Sequence, residues 1–234
     1  MSQVTTITCF RFKGFSDKFW ALSMMQLAHR QLSIEEGNTF YKLMGTGRGD
    51  SFNAFPDFST YILLQVWRSE DDANAFFARS QIVDRYRGRA SEVWTTYMVN
   101  VSSHGLWSGV NPFEPTPSSG PSGPVIAVTR ATIKWQKLLD FWRYVPVSQK
   151  DLKANSGLVY TKGMGELPIV QMATYSVWAD EASLRRFAYE SEHHRVAIAK
   201  TKKLKWYKEE LFARFQPIRS EGTWEGRRPL EGML

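Results

Sequence analysis

Residues 61–80 read YILLQVWRSEDDANAFFARS, and residues 172–191 read MATYSVWADEASLRRFAYES. Each stretch runs from β-branched and aromatic residues through a tryptophan into an acidic helix start, the pattern of a strand feeding a helix. Setting Trp67 on Trp178, an offset of 111, brings Phe76 onto Phe187, nine residues on in each. Trp94 and Trp206 then lie 27 and 28 residues beyond the paired tryptophans. Upstream, FYKLMGTGRG (40–49) parallels VYTKGMGE (159–166), and the halves open on VTTITCFRF and VIAVTRATIK. A period near 111 is too long for a solenoid repeat and points to a duplicated domain.

Each half reads strand, helix, strand, strand, helix, strand. In the first half the strands are expected near 4–12, 38–44, 60–67 and 95–101, and the helices near 16–32 and 70–92. Ser16 is a candidate cap for the first helix, and Glu70 to Asp72 sit where carboxylates offset a helix dipole. In the second half the strands are expected near 125–133, 157–163, 171–178 and 210–217, and the helices near 134–154 and 180–206, with a break at Pro146. That order is the ferredoxin-like βαββαβ unit. The expected fold is therefore α+β: two tandem ferredoxin-like units packed sheet to sheet, helices outside, a pseudo-dimer of the dimeric α+β-barrel type. The expected division is a first unit over 1–110, a Pro/Gly/Ser linker NPFEPTPSSGPSGP over 111–124, a second unit over 125–217, and a C-terminal tail over 218–234.

Composition narrows function by exclusion. The 234 residues are 43% hydrophobic and 23% charged, ordinary for a globular protein, but 9 Trp, 15 Phe and 9 Tyr favour a large core or an apolar pocket. The formal charge of +7 suits an anionic partner. No nucleic-acid motif is present, and the basic residues are spread except in KTKKLKWYK, 200–208, which reads as a solvated helix face or an anion-facing one. Cys9 is the only cysteine, so no intramolecular disulfide can form, and its strand context makes it a core residue. The N-terminus lacks a signal-peptide core and no apolar run reaches membrane-span length, so a soluble cytoplasmic protein is expected, with room for contact at a membrane surface. Zinc-type Cys/His clusters, HExxH, GxGxxG, Walker A and GxSxG motifs are absent. GTGRGDSF, 45–52, reads as a hairpin or loop.

The histidines carry most of the remaining chemistry. Leu184, Phe187, Ser191, His194 and Ile198 are spaced 3, 4, 3 and 4, one stripe of a helix. His194 therefore faces the interior and His193 lies about 100° away on the polar side. An inward histidine is either a satisfied core residue or a ligand to a metal or haem iron. The equivalent position in the first half is Val83. His29 has a core-facing spacing that also allows a distal-pocket role, and His104 reads as a loop residue.

Eight stretches resemble one family. FYKLMGTGRGDSF (40–52), NPFEP (111–115), VTRATIK (128–134), GMGELP (163–168), YSVWAD (175–180), HRVAIA (194–199), WYKEELFARF (206–215) and GTWEGRRPL (222–230) are similar to the spheroidene monooxygenases, acyclic carotenoid 2-ketolases of photosynthetic bacteria. In that pattern a histidine precedes Ala-Ile, with a tryptophan twelve residues on; His194, Ala197, Ile198 and Trp206 match it. The resemblance implies a haem-dependent monooxygenase with haem b on His194, an apolar polyene substrate, molecular oxygen and a ferredoxin-type electron donor. Two hydroxylations at carbon 2 would give a gem-diol that loses water to a ketone. It also implies cations for the haem propionates, with Arg130 in the matching strand as candidate. Other readings on such a barrel are peroxidase- or aldoxime-dehydratase-like haem chemistry, or a haem-free ligand-binding protein. The KTKKLK cluster is more basic than the family pattern, consistent with docking at an anionic membrane surface, peripheral to the inner membrane, or on an acidic donor.

Overall fold

The computed structural model describes residues 2–50, 53–116, 123–148, 152, 155–190, 196, 199–201 and 203–234. The first half contains β1 (Val4–Arg11), α1 (Phe15–Leu27), α2 (His29–Leu32), β2 (Asn38–Gly47), β3 (Pro56–Trp67), α3 (Glu70–Arg79), α4 (Gln81–Arg89) and β4 (Glu92–Gly105). The second contains β5 (Val125–Ile133), a 3-10 turn (Trp135–Lys137), α5 (Leu138–Ser148), β6 (Leu158–Leu167), β7 (Gln171–Trp178), α6 (Glu181–Arg185), a π-helical turn (Arg186–Glu190) and β8 (Tyr207–Gly222).

The strands form one closed antiparallel barrel in the order β1-β3-β2-β6-β7-β5-β8-β4, and β4 pairs back onto β1. Closure leaves no free sheet edge, and eight strands enclose a space that side chains can fill. Ile7, Cys9, Leu64, Trp94, Val128, Tyr175, Val177 and Phe215 are among the residues that fill it. Helices lie against the outer faces. In the first half, Met24, Phe76, Phe77 and Tyr86 from the helices pack on Phe10, Phe12, Tyr61, Leu63 and Trp67 from the sheet as one continuous cluster. Ser69 starts α3 by accepting the Asp72 N–H at 3.2 Å, with Glu70, Asp71 and Asp72 in the first turn.

The elements differ from expectation mostly at their ends. Gly14, not Ser16, caps α1, and the 70–92 helix divides at Ser80, whose backbone is extended. Pro146 does not break α5, which runs on to Ser148. A proline two residues from a helix end removes one N–H where the ladder is already finishing. His104 belongs to β4 and not to a loop.

Each half ends in a similar plug, HGLWSGVNPFEP (104–115) and EGTWEGRRPLEG (221–232). Trp107 N–H donates to the Val110 carbonyl at 2.6 Å, and Trp224 N–H to the Arg227 carbonyl at 2.7 Å. Gly105 and Gly222 open the two turns with φ of +92° and +87°, and Ser108 and Glu225 follow with +56° and +55°. Trp107 and Phe113 enter the barrel core from one plug, and Trp224 and Leu230 from the other. An arginine–glutamate pair clamps each turn. Arg130 pairs with Glu209, which accepts the Ser108 and Gly109 N–H groups at 2.9 and 2.8 Å. Arg11 pairs with Glu92 at 3.3 Å, and Glu92 accepts the Gly226 N–H at 2.8 Å.

Candidate active site

Strand pairing places the two halves in register. Val4 opposes Trp67 as Val125 opposes Trp178; Thr8 opposes Leu63 as Thr129 opposes Thr174; Phe10 opposes Tyr61 as Ala131 opposes Met172. Leu43 opposes Leu63 as Gly163 opposes Thr174. All of these positions face the helix layer, because alternate residues point to opposite faces of a sheet. On that face the first half carries Phe10, Leu63 and Leu43 where the second carries Ala131, Thr174 and Gly163.

The consequence is a difference in packing. Thr8 is 1% exposed under its helices. Thr129, paired on both sides by β7 and β8, is exposed, and it accepts a 3.2 Å hydrogen bond from the Thr174 hydroxyl. The second half's helix-side contacts fall into two separate clusters. One joins Val125, Ala127, Trp178 and Leu184, with Phe187 stacked on Trp178 at 5.2 Å between ring centroids. The other joins Ile133, Met172, Phe141, Val145 and Trp206, with Phe141 and Trp206 edge to face at 5.8 Å. Between them the side chains are small, a trough in side-chain size made by Ala127, Thr129, Ala131, Thr174 and Gly163; of these Thr129 is exposed, while Ala127, Ala131 and Gly163 are buried. Ala127 to Ala131 spans about 13 Å at ~3.3 Å per strand residue.

The trough has polar features suited to an acid-bearing ring. The Trp206 indole N–H is buried without a partner. Arg214 stands opposite Ala127 on the same face, bound to Glu181 at 2.7 Å and Ser102 at 3.1 Å. Phe212 stands opposite Thr129, and His104 stacks on it at 5.5 Å. A small-residue floor, aromatic ends, an orphaned N–H and a neighbouring cation fit a flat apolar cofactor with carboxylates at its rim.

The expected site residues fall as follows. His194 and His193 lie outside the described residues; the stripe that predicted an inward His194 is represented by Leu184, buried, and Phe187, packed on Trp178. Arg130 is 2% exposed, but strand alternation turns it to the barrel side, onto Glu209 and over the Trp107 ring at 5.9 Å. A cofactor on the outer face of this sheet would not meet it. Arg214 is the arginine on that face, and the alternation of VTRATI and LFARF carried the signal. His29 is remote from the trough, in the first half, with Nδ1 3.0 Å from the Tyr41 hydroxyl. Cys9 is fully buried, and burial pushes its thiol up to about 12 despite the Tyr160 hydroxyl and Lys162, which act the other way. Among the described residues no cluster of three or more His, Cys, Asp or Glu suits a metal ion.

This architecture defines an α+β-barrel protein whose second half carries smaller side chains on its helix-facing side than the first. Its fold is similar to that of aldoxime dehydratase, with TM-score 0.63 and 11% identity over 99% of this chain and 86% of that one. A second aldoxime dehydratase, in complex with butyraldoxime, gives TM-score 0.62 at 11% identity, over 99% of this chain and 84% of that one. At that identity the likeness is one of fold. No family model matches the chain. Sequence similarity is closer elsewhere. Spheroidene monooxygenase of Rhodobacter capsulatus is 36% identical over 229 residues, covering 97% of this chain and 95% of that protein. The Cereibacter sphaeroides protein of the same name is 34% identical over 97% of this chain and 71% of its own. That of Rubrivivax gelatinosus is 34% identical over 83% and 74%. The chain belongs to the spheroidene monooxygenase family and is a monooxygenase.

Proposed function

We propose that the chain is a haem-dependent monooxygenase that inserts oxygen into an acyclic carotenoid-type polyene, and that haem b, in the trough, would be held through its iron by His194. The observation that carries the cofactor reading is the register substitution of Phe10, Leu63 and Leu43 by Ala131, Thr174 and Gly163, which puts smaller side chains on the helix-facing side of one half. The relatives' name carries the reaction class and the polyene. The matched βαββαβ order, with strands 4-1-3-2 in each half, supports reading the halves as ferredoxin-like copies, each closed by its own Trp plug.

Haem, when bound, supplies the oxygen activation and electron transfer that no side chain provides. The protein's residues do the rest. Trp178 and Phe187 at one end, and Phe141 and Trp206 at the other, give a polyene an apolar surface and keep water from its reacting carbon. The Thr129–Thr174 hydroxyl pair is the described polar group on the floor, placed to hold or pass a proton there. Arg214 and the Trp206 N–H would hold carboxylates at the rim. Each hydroxylation consumes one oxygen molecule, two electrons and two protons and releases one water. A ferredoxin-type protein is the proposed donor. Two rounds at one carbon give the gem-diol, which dehydrates to the ketone.

The test is reconstitution with haem followed by an assay with an acyclic polyene, oxygen and a reduced ferredoxin system. A ketone product dependent on all three components supports the reading. Haem binding with turnover of aldoximes or peroxide only would replace it with another chemistry on the same barrel.

A further inference from the structure

We infer that the outer side of α5, with the basic segment ending at Trp206, docks the protein on an anionic phospholipid surface and so places the trough against the bilayer. Leu138, Phe141 and Val145 form the inner stripe of α5, packed with Trp206 and Met172 as the end wall of the trough. Trp135 and Leu139, one helical turn apart, face the other way and are 68% and 74% exposed. Arg143 continues that stripe and is also exposed.

Residues 199–201 and 203–206 lie beside them. Lys134 N–H donates to the Trp206 carbonyl at 2.8 Å, and Lys200 lies over the Tyr144 ring at 4.0 Å. Lys200, Lys203 and Lys205 are exposed, and Asp140 is the acid on α5. No ion pair among the described residues involves any of these cations. An exposed Trp and Leu ringed by unneutralised lysines and an arginine match a bilayer interface, where an indole sits at headgroup depth and each cation is attracted to anionic lipid. No helix of the described residues is long and apolar enough to cross a membrane. The contact is therefore one that lies on the surface.

The purpose of this surface rests on the polyene reading, since such a substrate is dissolved in lipid; the binding itself is measured without substrate or haem. The full chain is floated with phosphatidylcholine vesicles with and without phosphatidylglycerol. Three variants accompany it: Trp135→Ala with Leu139→Ala, Lys203→Glu with Lys205→Glu, and Phe15→Ala with Phe19→Ala on the exposed face of α1. Circular dichroism checks that each folds. The wild type is expected on anionic vesicles only, about fivefold weaker for each cation removed. The α5 variant is expected to fall off and the α1 variant to bind as wild type. Absence of binding to anionic vesicles, or equal binding by all variants, overturns the inference. So does capture of an acidic ferredoxin through the same lysines without vesicle binding, which would assign the patch to a protein partner. None of these outcomes depends on whether turnover is observed.

Discussion

Phe10 and Ala131 occupy the same place in the two halves of the barrel, each on the helix-facing side of a central strand, opposite Tyr61 and Met172. Phe10 fills that place with a ring, and Ala131 with a single methyl group, 8% exposed. The asymmetry between the halves at these positions is a difference in side-chain volume.

Restoring the ring should close the site. Ala131→Phe, and separately Thr174→Leu, are expected to weaken haem binding about tenfold or more, because the added side chain fills the volume the ring system needs. Thermal unfolding should stay within a few degrees of the wild type. A visible-absorbance titration with hemin reads the affinity.

The reverse change should cost stability and gain nothing. Phe10→Ala empties a packed position and is expected to destabilise by about 3–5 kcal/mol. Urea unfolding followed by tryptophan fluorescence measures it.

The plugs predict an acid limb in stability. Burial opposes ionisation of Glu209, but the Gly109 and Ser108 N–H groups and the Arg130 guanidinium outweigh it and hold the carboxyl below its ordinary value of 4.5. Glu92 is lowered in the same way against its own burial, by the N–H groups of Gly226 and Glu225 and by Arg11. A depressed folded pKa contributes stability that is fully present above the ordinary value and lost as pH falls through the folded one. Glu209→Gln should therefore lower stability above about pH 5 and flatten its dependence on pH below that. Urea midpoints across this range test both halves of the statement.

The turn glycines should resist substitution. At Gly105 and Gly222 the backbone is left-handed, and a Cβ would run into the carbonyl oxygens of Glu210 and Val93. Gly105→Ala and Gly222→Ala should each destabilise by more than about 1 kcal/mol, beyond the usual Gly-to-Ala effect. Melting temperatures of the two variants check it.

Much of this fold was legible because the two halves carry similar strand–helix patterns in sequence. Trp67 and Trp178 anchored the alignment, and the strands they end are the ones observed. The plugs were written twice as well, as GLWSGVNPFE and GTWEGRRPLE, yet the reading split the first between the end of the first unit and the linker and put the second in the tail. Their offset is 117 and not 111, so an alignment fixed on Trp67 passes over it. The trough was not legible. Ala131 and Thr174 are ordinary strand residues until pairing registers set them against Phe10 and Leu63. The side that Arg130 takes was not legible for a related reason: both faces of β5 meet apolar residues, so composition alone does not say which side a residue takes.

The most direct measurement is the ultraviolet–visible spectrum of protein produced with a haem precursor, recorded for wild type, His194→Ala and Ala131→Phe, each verified as folded by circular dichroism. A Soret band in the wild type that shifts or vanishes in His194→Ala, and is lost in Ala131→Phe, is the predicted result. A folded wild type with no Soret band, or one that is the same in all three proteins, would contradict haem in the trough and return His194 to the core.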